Sequence, residues 1–360
     1  MKKILIAINR LGIGGAERVV VDDINEMISR GINVELITFQ DEKEGNSLAS
    51  ECLISQGKWK KVYFKNLLSI HSWILLVRFI WECKPEVIMS HLWHANTVTR
   101  IASSICGVRI HLAFEHNVYD FVKTRKMFLV DRILQSLSTK IIAVSEAVKE
   151  SLIRNGIGHN RISVLHNGVD TSRYLNIRDE KLRKVLNPKD EFIYIFIGRL
   201  ITQKGVDVLL EAFAKLSSGL LLLAGDGIDK EKLLKLADRL GLQKRVNFLG
   251  IRQDIPNLLA MADCFILPSR YEGLPIVLIE AIVSGKAIII SDFEAGKELI
   301  NNGENGLVVP RENPEALSHA MLRIQEDRSL RSALETKVKR DAEKFSIKHH
   351  IDALFDIITV

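Results

Sequence analysis

The sequence has few of the features that mark secreted, membrane-spanning or base-stacking proteins. Its four cysteines are scattered without the paired spacing of a zinc site or a disulfide framework, which is typical of a reducing cytosol. No run of about 18 consecutive apolar residues occurs, and the apolar start ends at Asn9, so we expect neither a spanning helix nor a signal peptide. Aromatic residues make up only 6% of the chain, and no platform for stacking bases is evident. We therefore expect a cytoplasmic protein that does not bind nucleic acid.

The amino-acid composition is that of a large globular protein with a net positive charge. Its 360 residues exceed what one average core holds, which favours two domains over one. With 47% hydrophobic and 26% charged residues, the chain is expected to fold rather than to be disordered. A formal net charge of +6 permits an anionic partner such as a nucleotide or a phospholipid surface.

Short apolar segments alternate with helical patterns along the chain. Segments that are apolar at every position indicate strands covered on both faces, and their alternation with helices indicates parallel βαβ units. The predicted strands are 3–8, 34–39, 86–90, 109–114, 140–145 and 162–166, followed by 192–198, 220–225, 246–250, 264–269, 287–291 and 306–310. The predicted fold class is α/β, with two Rossmann-like, doubly wound parallel-sheet domains.

A polar stretch without a predicted strand, residues 168–191, separates the two series of strands. We place an N-terminal domain at 1–175 and a C-terminal domain at 185–345. The remaining piece, 346–360, has the pattern of an amphipathic helix, and we expect it to cross back to the N-terminal domain.

Ligands of parallel sheets bind beyond the carboxyl ends of the strands, and the first such loop has the sequence RLGIGGAERVV at 10–20. Its glycines allow close approach of a ligand, and the following helix N-terminus favours an anion. The loop does not match the dinucleotide-binding fingerprint, because Glu17 occupies the position of the third glycine. Asp41, however, lies where that fingerprint has its ribose-binding acid. An NAD-dependent dehydrogenase and an ordinary tight turn remain alternatives.

Two loops of the second half carry further candidates for phosphate binding. The sequence GRLITQKG at 198–205 places Arg199 and Lys204 around a turn, where the two cations can neutralise a diphosphate. The sequence AGDGIDKEKL at 224–233 places glycines around Asp226, which leaves room for a flat group or a phosphate. The alternatives are a solvated cationic turn for the former and an aspartate that caps the next helix for the latter.

The fourth loop places Glu272 in the turn YEGLP, ahead of a strongly apolar helix that carries Glu280. An uncompensated buried carboxylate costs several kcal/mol, so each glutamate is expected to have a partner. Carboxylates bind paired hydroxyl groups well. The two glutamates could therefore hold two rings of one nucleotide-sugar.

Taken in order, these motifs resemble glycosyltransferase family 4. They are the Gly-Gly-Ala-Glu of 14–17, the Gly-Arg-x-x-x-x-Lys-Gly of 198–205, the Gly-Asp-Gly of 225–227 and the two glutamates around Gly-Leu-Pro. The resemblance covers nearly the whole chain and implies a GT-B fold, in which two Rossmann-like domains face each other over a cleft. It also implies a retaining hexosyltransferase that uses a nucleotide-sugar donor. No Asp-x-Asp motif follows a predicted strand, so we expect neither a metal ion nor another cofactor.

The resemblance also implies roles for single residues. Arg199 and Lys204 match the family's diphosphate-binding pair, Glu280 its ribose-binding glutamate and Glu272 its sugar-binding glutamate. His116 matches a histidine that touches the donor sugar, although a lone histidine past a strand is more often structural. The predicted catalytic residues are Arg199, Lys204, Glu272 and His116, and the predicted donor-binding residues are Gly14, Gly15, Gly198, Gly225, Asp226, Gly227, Gly273, Leu274 and Glu280.

The most unusual stretch of the first half, 58–84, joins several lysines to an aliphatic segment with two tryptophans. This pattern is typical of an interfacial anchor on an anionic membrane, but a buried helix is the alternative. The predicted acceptor or membrane contacts are Lys58, Lys60, Lys61, Lys65, Trp73, Lys123, Arg125 and Lys126.

The family resemblance leads to a functional hypothesis. We expect transfer of a hexose or N-acetylhexosamine, from a UDP-sugar, to a glycan acceptor that is carried on a polyprenyl diphosphate or another lipid, with peripheral contact at the inner face of the cytoplasmic membrane. Relatives with the same opening motif belong to polysaccharide, O-antigen, lipopolysaccharide or protein-glycosylation pathways. The alternatives are a nucleotide-sugar 2-epimerase of GT-B fold and a non-catalytic binder of nucleotides or nucleic acids.

Overall fold

A computed structural model of the chain describes residues 3–41, 47–64, 66–118, 120, 123–175, 177, 179–187 and 189–359. The chain divides into two compact units. The first comprises Met1–Val169 together with Ile347–Val360, and the second comprises Asp170–Ser346. The first unit thus ends a little before residue 175, where the sequence analysis set its limit.

Thirteen strands are found in the described part of the chain, and they form two parallel sheets. The strands are β1 Lys3–Ile8, β2 Asn33–Thr38, β3 Trp59–Lys61, β4 Val87–His91, β5 Ile110–Glu115, β6 Lys140–Ala143, β7 Ile162–Val164, β8 Ile193–Ile197, β9 Leu220–Ala224, β10 Val246–Gly250, β11 Cys264–Leu267, β12 Ala287–Ser291 and β13 Leu307–Val309. The predicted α/β fold class is confirmed. Only β3 has no counterpart among the predicted strands.

The α-helices of the described residues fill the connections between strands and the chain's last segment. They are α1 Gly15–Ser29, α2 Ile70–Cys83, α3 Trp93–Ile105, α4 Arg125–Leu134, α5 Glu146–Arg154, α6 Glu180–Leu186, α7 Val206–Phe213, α8 Lys230–Arg239, α9 Ile255–Met261, α10 Ile276–Val283, α11 Glu294–Lys297, α12 Pro314–Glu326, α13 Arg328–Asp341 and α14 Ile347–Thr359. Of these helices, none is both long enough and apolar enough to cross a bilayer.

The sheet of the first unit has the order β3-β2-β1-β4-β5-β6-β7. Alternate residues of β1 enter two different cores, because successive side chains of a strand point to opposite faces. Ile4, Ile6 and Ile8 pack with α1, whereas Leu5 and Ala7 pack with α2 and α3. Both faces are therefore covered, which explains why these strands are apolar at every position.

The last helix, α14, belongs to the first unit. Ile351 and Leu354 are fully buried in the core formed by α1 and the sheet. The His350 imidazole lies in the same interface, where its Nδ1 is 2.7 Å from the carbonyl oxygen of His166 and its Nε2 is 3.3 Å from Asp23 Oδ1. Although burial lowers the pKa of His350, the Asp23 carboxylate and the carbonyl contact outweigh burial, and the pKa is raised above its ordinary value.

The sheet of the second unit has the order β10-β9-β8-β11-β12-β13. From β8 the chain proceeds outward to β9 and β10, then returns to the other side of β8 for β11. The order therefore reverses between β8 and β11. In open α/β sheets this reversal opens a crevice at the carboxyl ends of the two strands, where ligands bind.

Candidate active site

In the second unit, two of the loops that carry candidate residues lie where the strand order reverses, between β8 and β11. Residues 198–205 lead from β8 into α7, and residues 268–275 lead from β11 into α10. Because β8 and β11 are paired and parallel, both loops leave the same edge of the sheet. The N-terminal amides of α7 and α10 lack intrahelical acceptors and carry partial positive charge, which favours an anion.

Lys204 and Glu272 meet between these two loops. The Lys204 Nζ lies 2.5 Å from Glu272 Oε1, and both side chains are nearly buried. The Ser269 hydroxyl donates to the same carboxylate oxygen at 2.6 Å, and Gln203 Nε2 lies 3.4 Å from the other. The sequence analysis expected a partner for Glu272, and in the structure that partner is a protein cation.

Two glycines allow the loops at the carboxyl ends of β8, β9 and β11 to approach one another closely. Gly205 has φ +65°, and a Cβ there would lie 2.1 Å from the Pro268 carbonyl oxygen, so only glycine lets the two loops touch. Gly225 has φ +144°, and its Cβ would lie 1.9 Å from the Gly198 carbonyl oxygen. The backbone of the neighbouring loop thus occupies the side of Gly225 on which a Cβ would lie. The same holds for Gly227, whose Cβ would meet the Leu200 carbonyl oxygen at 2.2 Å.

The remaining candidates of the second unit differ in exposure. Arg199 is exposed, and its guanidinium makes no hydrogen bond or ion pair with the described residues. Asp226 is exposed and pairs with Lys230 at 3.1 Å, a contact that lowers the Asp226 pKa. Gly273 and Leu274 are buried beside Glu272 in the loop.

Glu280 lies in the apolar helix α10 and is buried. Its Oε1 accepts a hydrogen bond of 2.6 Å from the hydroxyl of Tyr174. Tyr174 belongs to a short 3-10 turn, Thr171–Tyr174, far away in sequence. The helix fixes the Glu280 backbone, and the tyrosine fixes its carboxylate.

Sequence reasoning did not find the residues that hold the two glutamates. Ser269, Gln203 and Tyr174 each donate to a predicted site carboxylate. Gln203 lies inside the loop 198–205 that had been singled out, and Ser269 ends the predicted strand just before the turn YEGLP, so a search for polar residues in and beside those loops could have found them. Tyr174 carries no local signal, because only the tertiary fold brings it to Glu280.

In the first unit, Gly14 is the residue that precedes α1, and Gly15 begins the helix. Gly15 is exposed and Gly14 is half-buried, so the start of this helix is open to solvent. His116 follows β5 and is buried, with its Nε2 only 3.0 Å from the Nδ1 of His91 at the end of β4.

The prediction that Lys123 faces a membrane is wrong. Its ammonium group is buried and lies 3.1 Å from Glu115 Oε2 and 2.8 Å from Asp131 Oδ2. Arg100, also buried, pairs with Asp131 at 2.9 Å. Burial of these four charges is tolerated because each has an opposite partner within reach. Lys123 is therefore part of an internal ionic cluster with Arg100, Glu115 and Asp131.

The other predicted membrane contacts fall into three groups. Lys58, Lys60 and Lys61 are exposed around the edge strand β3, and Lys65 lies outside the described residues. Trp73 is half-buried, and its indole N–H donates to the Leu67 carbonyl at 2.8 Å. Arg125 and Lys126 are exposed in the first turn of α4.

Two family models match the chain in succession. Residues 13–173 match the model described as Glycosyltransferase Family 4, and residues 177–341 match the one described as Glycosyl transferases group 1. The chain belongs to glycosyltransferase family 4. It is accordingly a glycosyltransferase, and the predicted family and enzyme class are confirmed.

Family 4 members with named reactions resemble the chain over most of its length. The chain is 28% identical to the Campylobacter jejuni protein named N-acetylgalactosamine-N,N'-diacetylbacillosaminyl-diphospho-undecaprenol 4-alpha-N-acetylgalactosaminyltransferase, over 98% of this chain and 99% of that one. It is 26% identical to the Escherichia coli UDP-Gal:alpha-D-GlcNAc-diphosphoundecaprenol alpha-1,3-galactosyltransferase, over 79% and 78%.

Solved structures show the fold of this family 4 member. Alr3699/HepE of Anabaena, in complex with UDP and glucose, matches with a TM-score of 0.90 and 23% identity, covering 100% of both chains. The lipopolysaccharide outer core galactosyltransferase WaaB matches with a TM-score of 0.72 and 21% identity, covering 99% of both. The GT-B fold is thereby confirmed.

Proposed function

We propose that the donor of this glycosyltransferase is a UDP-sugar, bound at the reversal point between β8 and β11. The observation that carries the proposal is the nearly buried contact of Lys204 with Glu272 across the two loops that meet there. A diphosphate can replace the carboxylate at Lys204, and a sugar hydroxyl can replace the ammonium at Glu272. The E. coli relative is named for a UDP-linked donor, and the Anabaena structure contains UDP, which supports the choice of uridine.

The positive charges around this crevice can stabilise the negative charge that develops when a nucleoside diphosphate leaves the sugar. Arg199 is exposed and unpaired among the described residues, so it can reach an incoming phosphate without breaking an ion pair. Lys204 and the N-termini of α7 and α10 add positive potential where the leaving group gains charge. One preorganised donor of this kind is typically worth about 3–4 kcal/mol.

Glu280 is proposed to bind the ribose of the donor. The Tyr174 hydroxyl orients its carboxylate, and α10 prevents the backbone from moving. His116, Gly14 and Gly15 are also proposed to bind the donor.

The reaction is proposed to retain the anomeric configuration. The bond between the sugar C1 and the phosphate oxygen breaks, and a bond from C1 to the acceptor hydroxyl oxygen forms on the same face. The acceptor's proton passes to an oxygen of the leaving diphosphate, so the protein supplies charge and orientation and no nucleophile. We propose that no metal ion takes part, because the cations named above neutralise the diphosphate.

The acceptor is proposed to be a glycan on a polyprenyl diphosphate, and the transferred sugar a hexose or N-acetylhexosamine. The names of the C. jejuni and E. coli relatives both specify a diphospho-undecaprenol acceptor. An enzyme with such an acceptor works at a membrane surface, so we also propose peripheral contact with an anionic membrane.

Helix α4 carries the strongest structural support for that contact. Leu129 and Ile133 are 56% and 65% exposed and lie one helical turn apart. Arg125, Lys126 and Arg132 are exposed on the same helix, whose only acid, Asp131, is buried. Aliphatic residues flanked by cations without exposed acids suit an anionic lipid surface.

Helix α2 adds an apolar surface on the same side of the sheet. Its Leu76 and Ile80 are buried, but Ile70, Ile74 and Trp81 are exposed. Between α2 and α3 runs an open groove of about 510 Å³, lined by Trp73, Ile74, Val77, Arg78, Trp81, Ile101 and Ile105. One face of α2 is therefore buried, and the other is apolar and exposed, which supports the proposed membrane contact.

Vesicle flotation tests the membrane contact. We expect the protein to float with phosphatidylglycerol-containing vesicles and not with phosphatidylcholine alone. The variant R125E/K126E should lose flotation, and L129S/I133S should weaken it without any change in charge. The matched control K232E/K235E makes the same charge change on α8 of the second unit, where both lysines are exposed. A wild type that stays wholly unbound, or an equal loss in the control, contradicts the proposed face.

Transfer assays test the chemistry. The purified enzyme should release UDP from UDP-galactose or UDP-N-acetylgalactosamine faster when a polyprenyl-diphosphate glycan is added, and the product should keep the anomeric configuration of the donor. Release stimulated only with GDP-sugars would contradict the choice of uridine. An inverted product would contradict retention.

A further inference from the structure

Two hydrogen bonds at Arg270 and its neighbour tie together the two loops of the reversal point. The Arg270 amide N–H donates to the carbonyl oxygen of Gln203 at 2.8 Å. The Gln203 side-chain amide donates in return to the carbonyl oxygen of Tyr271 at 2.9 Å. These bonds therefore lie directly beside the nearly buried ion pair of Lys204 with Glu272.

The Arg270 side chain makes further bonds around the same loops. A guanidinium has five N–H donors. Nη1 donates to the Thr202 carbonyl oxygen and, at 3.1 Å, to Asp207 Oδ1. Nη2 donates to Asp207 Oδ2 and to Glu312 Oε2, each at 3.0 Å, and Nε pairs with Glu312 Oε1. All five N–H groups thus have acceptors, so a phosphate could bind this side chain only by displacing one of them.

The contact of Arg270 with Asp207 is stronger than the contact with Glu312. Asp207 lies in the first turn of α7 and is 27% exposed, and its two oxygens bind the guanidinium side by side. Bidentate pairs of this kind are charge-assisted and geometrically specific. Although burial raises the pKa of Asp207, its hydrogen bonds with Arg270 and the arginine charge outweigh burial, and the pKa is lowered. The Glu312 carboxylate is 55% exposed, so solvent screens its attraction more strongly.

The bonds of the guanidinium lie on both sides of Lys204 in the sequence. Thr202 precedes the lysine by two residues, and Asp207 follows it by three. Thr202 and Lys204 belong to one short 3-10 turn, and Asp207 belongs to the helix that follows it. The segment that carries the lysine therefore cannot shift without breaking a bond to Arg270.

We infer that Arg270 is a positioning residue that holds loops 198–205 and 268–275 together, so that Lys204 faces Glu272 before a donor arrives. The inference rests on the proposed function, in which Lys204 and Glu272 bind that donor. It adds to the site an arginine that acts through its neighbours and not by touching the substrate.

Three substitutions separate the position of the loops from general stability. R270K keeps the positive charge but loses the planar fork, because an ammonium has its three donors on one atom. D207N leaves Arg270 in place and replaces its paired carboxylate by an amide. The matched control is R245K, since Arg245 is also half-buried and donates to backbone carbonyls, among them those of Leu216 at 2.6 Å and Ser218 at 2.9 Å. Arg245 directly precedes β10, at the sheet edge opposite to the two loops.

Hydrogen–deuterium exchange without substrate reports directly on how the loop is held. The amides of Lys204 and Gly205 donate within their own loop at 2.9 and 3.2 Å and serve as reporters. In R270K their exchange should be at least about fivefold faster, because local opening then breaks fewer bonds, and D207N should change it in the same direction. R245K should leave it unchanged. Unchanged exchange in both R270K and D207N would overturn the inference, as would equal acceleration in R245K.

Transfer and UDP binding provide a second readout. R270K is expected to lower kcat for release of UDP from UDP-galactose by about 10- to 100-fold, the loss that misplacement of a reacting group produces. In calorimetric titration, a displaced loop should weaken the affinity for UDP at an unchanged stoichiometry. Partial unfolding would instead lower the stoichiometry at an unchanged affinity. Wild-type affinity in R270K, or equal losses in R245K, would overturn the inference.

The positioning role of Arg270 and the proposed function fail separately in these experiments. If the wild type turns over no nucleotide-sugar but exchange at Lys204 is faster in R270K, the proposed function fails and the contact between the loops stands. If R270K transfers sugar at the wild-type rate, the positioning role fails and the donor site stands.

Discussion

Replacement of Lys204 by methionine should damage the fold as well as the reaction, because Lys204 neutralises a buried carboxylate. The side chains of Lys204 and Glu272 are 11% and 7% exposed, so solvent screens their attraction very little. Removing one partner of a buried ion pair costs about 3–5 kcal/mol. Ser269 still donates to Glu272 at 2.6 Å in the variant, which favours the lower end of that range.

The second unit, Asp170–Ser346, is the part of the chain that should respond. A domain of this size loses about 2–4 °C in Tm per kcal/mol, so a loss of about 3 kcal/mol in K204M should lower its transition by about 6–12 °C. The double variant K204M/E272Q removes the buried charge altogether, and its Tm should recover most of the loss. Its release of UDP from a UDP-sugar should stay at least about tenfold below wild type, because the group proposed to stabilise the diphosphate is still absent.

Differential scanning calorimetry of the wild type, both single variants and the double variant forms a complete mutant cycle. If the double variant melts no higher than K204M, the two groups do not compensate each other. If K204M melts with the wild type, the ion pair contributes nothing to stability. Either result refutes the reasoning from burial.

Three further predictions follow from other buried polar contacts. Tyr174→Phe removes a hydroxyl bonded to the Glu280 carboxylate and should lower the free energy of unfolding by about 1.5–3 kcal/mol in calorimetry, whereas an unchanged Tm would contradict the 2.6 Å contact. Lys123→Met leaves buried carboxylates without their ammonium partner and should cost about 3–5 kcal/mol of stability, but its flotation with anionic vesicles should equal that of the wild type if the lysine is internal. Because Asp23 raises the pKa of His350 in the folded state, the stabilisation is complete below His350's ordinary value of 6.5 and is lost as pH rises through the folded value. The Tm of Asp23→Asn should therefore be flatter than that of the wild type between about pH 6 and 8, and equal slopes would contradict the pairing.

The sheets could be predicted from the sequence because their strands are buried on both faces. A run such as Ile193–Ile197 has no polar position, and no other regular element explains so short an apolar segment between turns. The strand Trp59–Lys61 was missed for the converse reason. It lies at the sheet edge with both lysines exposed, and its conformation is set by pairing with β2, which no local pattern reports.

The candidate site could be predicted only in part. Arg199, Lys204, Glu272 and Glu280 stand in loops and a helix whose composition is unusual by itself. The lysine at 123 was misassigned because its neighbours in sequence are basic, whereas its partners, Glu115 and Asp131, reach it through the fold. Contacts between residues distant in sequence decide burial, and burial decides whether a lysine is a surface charge or a structural one.

Calorimetric titration of UDP into the wild type and into E280Q tests the central claim most directly. The account predicts one UDP per chain, and an affinity at least about tenfold weaker in E280Q, because the carboxylate proposed to bind the ribose hydroxyls has become an amide. Equal affinity in the two proteins, or no binding of UDP to the wild type, would contradict a donor site at the reversal point of the second unit.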